Sequence, residues 1–219
     1  ESWINFPLWA PHERLAAFAH GYFPGIIGKK IRDIPGFIRD LWKTHYRAAL
    51  QSATLGPAVQ ALCAVEAALW DIQAVLRGVP LSGLFSDNFS ETAAMYASGI
   101  NPPFLVDSLR EALGMGIDVF KLKLGYGKME DRENIRNLKN ILGSGARLAV
   151  DVNRSWTFDE TLSWLPYLRD EGIAWLEEPL AIEEERRCRE LYSLTDIPVS
   201  AGENFLIPPG SDLDREGNE

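Results

Sequence analysis

Lys121 and Lys123 stand two residues apart in Phe120-Lys121-Leu122-Lys123-Leu124, and three acids follow them at regular intervals. These are Asp151 in Ala-Val-Asp-Val-Asn, Glu177 in Trp-Leu-Glu-Glu-Pro and Glu203 in Ala-Gly-Glu-Asn. Asp151 lies 28 residues after Lys123, and the two later steps are 26 residues each. A strand, a helix and two short loops occupy roughly 25–30 residues, so the spacing predicts one functional residue at the end of each of four consecutive strands. Three carboxylates meeting at one place repel one another unless a cation holds them. With no His or Cys among the donors, that cation is a hard one: Mg²⁺ fits best and Mn²⁺ second. Taken singly, each acid could instead cap a helix or pair with a lysine. The equal spacing is what argues for a shared site.

Two lysines at i and i+2 of a strand point to the same face. Two ammonium groups facing a barrel interior need carboxylates or a substrate beside them. A neighbouring ammonium and a metal ion favour the neutral form of a lysine, and a neutral lysine is a general base.

The surrounding elements must place these groups. Residues 1–90 read as helical. Pro11 opens a first helix, Ile34 to Leu50 has helical periodicity, and Ala58 to Leu76 follows a break at Gly56-Pro57, with Gly78 as cap and Pro80 just beyond. Glu66 and Asp71 in that last helix read as exposed or paired structural acids. From about residue 91 to 219 the pattern changes to alternating strands and helices. Strands are expected at Thr92–Ala97, Val119–Leu124, Arg147–Val152, Ile173–Leu176 and Pro198–Ala201. Helices are expected at Phe104–Leu113, Glu130–Leu142, Thr157–Arg169 and Ile182–Leu194. Thr157-Phe158-Asp159-Glu160 is a capping box, and Pro166 is a candidate kink.

Strict alternation implies parallel strands. An open doubly wound sheet gathers its ligand at one switch point and often carries a glycine-rich phosphate loop. No such loop is present, whereas charged residues end several successive strands, which favours a barrel. The expected fold is therefore α/β: a partial (β/α) TIM-type barrel of about five strands, preceded by a helical region.

Composition narrows the function classes. The chain has 219 residues and a formal net charge of −9, which argues against nucleic acid as a partner. Cys63 and Cys188 have no paired spacing and suit a reducing compartment. No uninterrupted apolar run approaches a membrane span, and no signal-peptide pattern opens the sequence. A cytoplasmic enzyme is expected.

Lys-x-Lys, Asp-x-Asn, Glu-Glu-Pro and Gly-Glu-Asn, in this order and spacing, resemble the enolase superfamily, most closely its mandelate racemase-like group. Ala64 to Ile72, followed by Gly78-Val79-Pro80-Leu81, is similar to the last helix of that family's α+β capping domain. The resemblance covers essentially all of residues 1–210. It implies that Asp151, Glu177 and Glu203 bind Mg²⁺, that Lys123 is the base for one face of a substrate α-carbon, and that Lys121 lowers its pKa and meets the substrate carboxylate. Asn153, Glu178 and Asn204 would contact substrate or support the ligands from behind, Glu178 by orienting Lys121. The implied reaction is α-proton abstraction from a small carboxylate through an enediolate, with acid-sugar dehydration favoured, racemisation or epimerisation as the alternative, and a silent paralogue as the alternative of another class. A capping domain closing over the barrel and a homo-oligomeric state are also implied.

In the family's mandelate racemase-like group, a His–Asp dyad on later strands serves the opposite face. His12, His20 and His45 all lie in the helical region, so none matches it. The opening strands of the capping domain are also missing, and five strands alone leave unpaired edges. The chain is therefore expected to be a piece of a longer protein.

Overall fold

The computed structural model describes residues 8–203. These fall into two compact units, one ending at Glu91 and the other beginning at Thr92.

The first unit is helical. Helix α1 (Pro11–Ala16) runs through a π-helical turn, Ala17–Tyr22, into α2 (Phe23–Ile26). Helix α3 (Ile34–Gln51) begins at Asp33, whose carboxylate accepts the Gly36 N–H at 3.0 Å, with Pro35 in its first turn. Helix α4 (Leu55–Arg77) starts earlier than the sequence suggests. Gly56-Pro57 reads as a break, but proline is tolerated in a first helical turn, where its missing N–H would have no intrahelical partner. Gly78 caps the other end at φ +66, as expected. Ile34, Ile38, Leu41, Trp42 and Ala49 of α3 meet Ala58, Ala61, Leu62 and Val65 of α4, and Tyr22 closes that core.

By length and composition α4 could cross a membrane, with a mean hydropathy of 1.4 over its best 18-residue window. Glu66 and Asp71 interrupt any unbroken apolar run in this helix but leave its average hydropathy high. Here its Ala58–Val65 stripe lies in a protein core, and Glu66 accepts from Trp70 Nε1 at 3.4 Å. A core helix meets the same length and composition test.

The second unit is a five-stranded parallel sheet in the order β1-β2-β3-β4-β5. The strands are β1 (Ala97–Ile100), β2 (Val119–Lys123), β3 (Arg147–Asp151), β4 (Leu176–Glu177) and β5 (Val199–Ser200). Between them run α5 (Val106–Gly114), α6 (Lys128–Leu142), α7 (Phe158–Asp170) and α8 (Cys188–Leu194), the last preceded by a 3₁₀ stretch, Ile182–Arg187. Sequential order without reversal is the winding of a barrel, whereas a doubly wound sheet reverses at its switch point.

Phe120, Leu122, Val150 and Leu176 are fully buried and share a core with Ile135, Leu138, Trp164, Leu168 and Leu191. Burial on both faces is what a parallel sheet demands. The capping box of α7 forms as expected: Glu160 N–H donates to Thr157 Oγ1 at 3.2 Å, and Thr157 N–H donates to Glu160 Oε2 at 3.4 Å. Helix α7 continues past Pro166 to Asp170.

The first strand is displaced from its expected place. Thr92–Tyr96 is irregular, and pairing begins at Ala97, where Ala97 faces Phe120 and Ile100 faces Leu122. Parallel pairing to β2 sets this register, and the apolar run that suggested a strand starts too early for it. Tyr96 packs its ring edge-on against Trp175, 5.1 Å between centroids.

Candidate functional site

Register places the site. Lys121 faces Ala149, Lys123 faces Asp151, Asp151 faces Glu177, and Glu177 faces Ser200. Phe120 and Leu122 point into the helix-covered core, so alternation sends Lys121 and Lys123 to the opposite face. The small side chain of Ala149 sits beside Lys121 and leaves room for its long stem.

Lys121 is buried and bridges two acids: it hydrogen-bonds Glu177 Oε1 and lies 3.5 Å from Asp151 Oδ2. Lys123 donates to Asp151 Oδ2 at 2.6 Å and to Asn153 Oδ1 at 3.3 Å. Its side chain is 25% exposed, against 7% for Lys121. Lys123 is therefore the more accessible of the two.

Burial alone would lower the Lys121 pKa. The hydrogen bond to Glu177, with the charges of Glu177 and Asp151, outweighs burial and raises it instead. The reason is that two carboxylates touch this ammonium group.

Asp151 is fully buried, and its Oδ1 accepts the Asn153 N–H at 3.0 Å. Trp175, two residues before Glu177 on the same strand face, donates its indole N–H to Glu177 Oε2 at 3.1 Å. Lys121 Nζ also lies 5.4 Å from the centre of the Tyr96 ring. Tyr96 and Trp175 thus line the inner side of the lysine–carboxylate group. Sequence reasoning missed both, although the i−2 position of Trp175 was the available signal.

Glu178 is buried but is not turned to Lys121. Its carboxylate accepts from Arg154 Nε at 2.8 Å, Gly202 N–H at 2.7 Å and Glu203 N–H at 2.8 Å. The expectation that it orients Lys121 gives way to this arrangement. Its φ of +44 helps to explain the difference, because a left-handed residue does not continue the alternation of the strand. Asp131, also fully buried, accepts Gly125 N–H at 3.0 Å and Tyr126 N–H at 3.2 Å and so fixes the loop after β2. A Cβ on Gly125 would collide with Ser155, so this glycine lets the loops after β2 and β3 come together.

The structure thus gathers Lys121, Lys123, Asp151, Asn153 and Glu177. Glu203 begins just past β5 with an exposed side chain, and Asn204 lies outside the described residues. Among the described residues, no three His, Cys, Asp or Glu side chains form a cluster that could hold a metal ion. Asp151 and Glu177 nonetheless offer oxygen donors on adjacent strand ends, the donor type that suits Mg²⁺. Their negative charge is met here by the two lysines, as buried charge requires.

Comparison with known proteins agrees with this architecture. The profile of the mandelate racemase/muconate lactonizing enzyme N-terminal domain matches residues 13–85. That of the enolase C-terminal domain-like family matches residues 105–208. D-galactarolactone cycloisomerase of Agrobacterium fabrum is 27% identical over 197 residues, which are 87% of this chain and 51% of that protein. The chain therefore spans about half the length of such relatives. A mandelate racemase/muconate lactonizing enzyme structure from Bordetella bronchiseptica superposes with a TM-score of 0.83 at 28% identity, covering 93% of this chain and 56% of that one. L-talarate dehydratase from a Polaromonas species, complexed with Mg and L-glucarate, superposes with a TM-score of 0.74 at 25% identity, covering 89% and 55%. With both domain profiles matched in order on a sequentially wound parallel sheet, the chain belongs to the enolase superfamily.

Proposed function

We propose that this chain carries the lysine face of an enzyme that removes the α-proton of a carboxylate substrate, with acid-sugar dehydration as the reaction. The observation that carries this reading is the pair Lys121 and Lys123 on one strand face, each held by a carboxylate from a neighbouring strand end. Asp151, Glu177 and Glu203 would hold Mg²⁺, with Mn²⁺ as a substitute. That cation, when bound, would supply positive charge to the substrate carboxylate and to the enediolate left by proton loss.

Lys123 takes the α-proton. It is the more exposed lysine, and Asp151 and Asn153 fix its ammonium nitrogen in place. To act as base it must first give up its own proton. Lys121, enclosed by Glu177, Asp151 and Tyr96, provides a fixed charge for the substrate carboxylate. Dehydration is completed when the β-hydroxyl leaves as water, its added proton balancing the one removed from the α-carbon, and the resulting enol ketonises. The Polaromonas dehydratase, named for a sugar acid, and the Agrobacterium cycloisomerase, named for the lactone of one, support this substrate class.

The test is proton NMR of an acid-sugar panel in D₂O with the full-length protein and Mg²⁺. At least one substrate should lose its α-proton signal, and Lys123→Ala should stop that loss. Formation of a 2-keto-3-deoxy product marks dehydration, whereas exchange with inversion and no water loss marks epimerisation. No exchange across the panel would remove the enzymatic reading.

A further inference from the structure

Three loops at the ends of β3, β4 and β5 meet at one ion pair. Arg154 and Glu178 approach at 2.8 Å, with side chains only 13% and 3% exposed. The Arg154 backbone N–H also donates to the Glu178 carbonyl at 2.8 Å. The other Glu178 oxygen accepts Gly202 N–H and Glu203 N–H. Asn153, Arg154 and Glu178 all adopt left-handed backbone, at φ +48, +61 and +44. Non-glycine residues hold that conformation only where their surroundings demand it. Three of them on two neighbouring loops mark a place where the backbone is bent to make one set of contacts.

Those contacts divide the two consecutive glutamates. Glu177 faces the lysines, while both oxygens of Glu178 are occupied by Arg154 and the loop after β5. We infer that Arg154 and Glu178 form a positioning clasp that sets Glu203 relative to Asp151 and Glu177. This rests on the proposed metal-binding role of those three acids. The Glu178 carboxylate fixes the Glu203 backbone directly, and Arg154 holds that carboxylate and balances its charge in a buried place. Neither residue is a ligand or a base. Their effect is on how closely the third acid can approach the other two. Groups that orient metal ligands typically alter metal affinity 10–100-fold when removed.

The test uses the full-length protein and two readouts. The first is amide hydrogen exchange at Gly202 and Glu203 without added metal. The second is Mn²⁺ binding, followed by the electron paramagnetic resonance signal of free Mn²⁺. In Arg154→Met, exchange at 202–203 should quicken while exchange in β2 and β3 stays as in the wild type, and the Mn²⁺ Kd should rise by about tenfold or more. Arg154→Lys, which restores the charge, should recover part of both. If Arg154→Met does not fold, Arg154→Lys carries the test alone through a smaller shift in the same two readouts. Wild-type exchange and wild-type Mn²⁺ affinity in the substituted protein would overturn the clasp. A wild-type protein that binds no Mn²⁺ would overturn the metal reading, and with it the clasp's role in affinity. Faster exchange at 202–203 would then still show that Arg154 positions the loop.

Discussion

Residues 8–91 and 92–203 meet the demand for burial with different side chains. Among the described residues, every buried charged or amide side chain belongs to the second unit: Lys121, Asp131, Asn134, Asp151 and Glu178. The first unit buries Ile, Leu, Val, Ala, Trp and a single tyrosine, Tyr22, whose hydroxyl donates to the Ala58 carbonyl at 3.0 Å. It also exposes large apolar side chains along α4, including Ile72, Val75 and Leu76. One unit is a conventional apolar core. The other tolerates paired charges because its strand ends supply counter-charges and backbone donors to each of them. Buried charge of this kind is weak evidence for stability and better evidence for a site.

The widest separation between the units should come from Lys123→Ala. Activity of the full-length protein should fall by about 10³-fold, within the range for loss of a general base. Thermal stability should fall only modestly, because Asp151 keeps Lys121 at 3.5 Å as a counter-charge. A large loss of stability with residual activity would make this lysine structural and weaken the contrast.

Leucine truncations come next. Leu62→Ala in the helical core and Leu122→Ala in the sheet core should each destabilise by about 2–5 kcal/mol in urea unfolding, since both side chains are fully or almost fully buried. Separate unfolding transitions, each moved by only one substitution, would sharpen the two-unit comparison. A single transition moved equally by both would merge them.

Tyr22 gives the helical unit its own pH response. Burial, with a smaller contribution from Cys63, pushes its pKa from 10 up to about 12. The folded state therefore keeps a proton that the unfolded chain releases from pH 10 upward. The associated stabilisation is complete below pH 10 and is lost as pH rises toward 12, by about 2 kcal/mol. Urea midpoints at pH 9 and pH 12 should show that loss, and Tyr22→Phe should lack this part of it.

Thr157→Ala should have the smallest effect, about 1 kcal/mol, through loss of the α7 capping box. It is measured by the unfolding midpoint, and α-proton exchange should be unaffected.

How far the sequence could be read depended on whether a residue's role is local. The Thr157 cap and the Gly78 terminus are local, and both appear where they were expected. The strand face of Lys121 and Lys123 follows from period-two alternation alone. The start of β1 does not, because its register depends on a partner strand that propensity cannot see. Gly56-Pro57 reads as punctuation, yet it forms the opening of a helix. Arg154 and the true partners of Glu178 were illegible, since neither a left-handed φ nor a contact 24 residues away leaves a mark on composition or spacing. Glu203 was legible as a strand-end acid. The position of its side chain relative to Asp151 was not.

The sequential order of the strands also bears on how the chain is made. Among the described residues, each strand hydrogen-bonds only to the strands immediately before and after it in the sequence. Within these five strands no pairing spans more than one intervening helix and its loops, which keeps the closing entropy of each small. The sheet can thus assemble in the order of synthesis, with each newly emerged strand docking on the edge left by its predecessor.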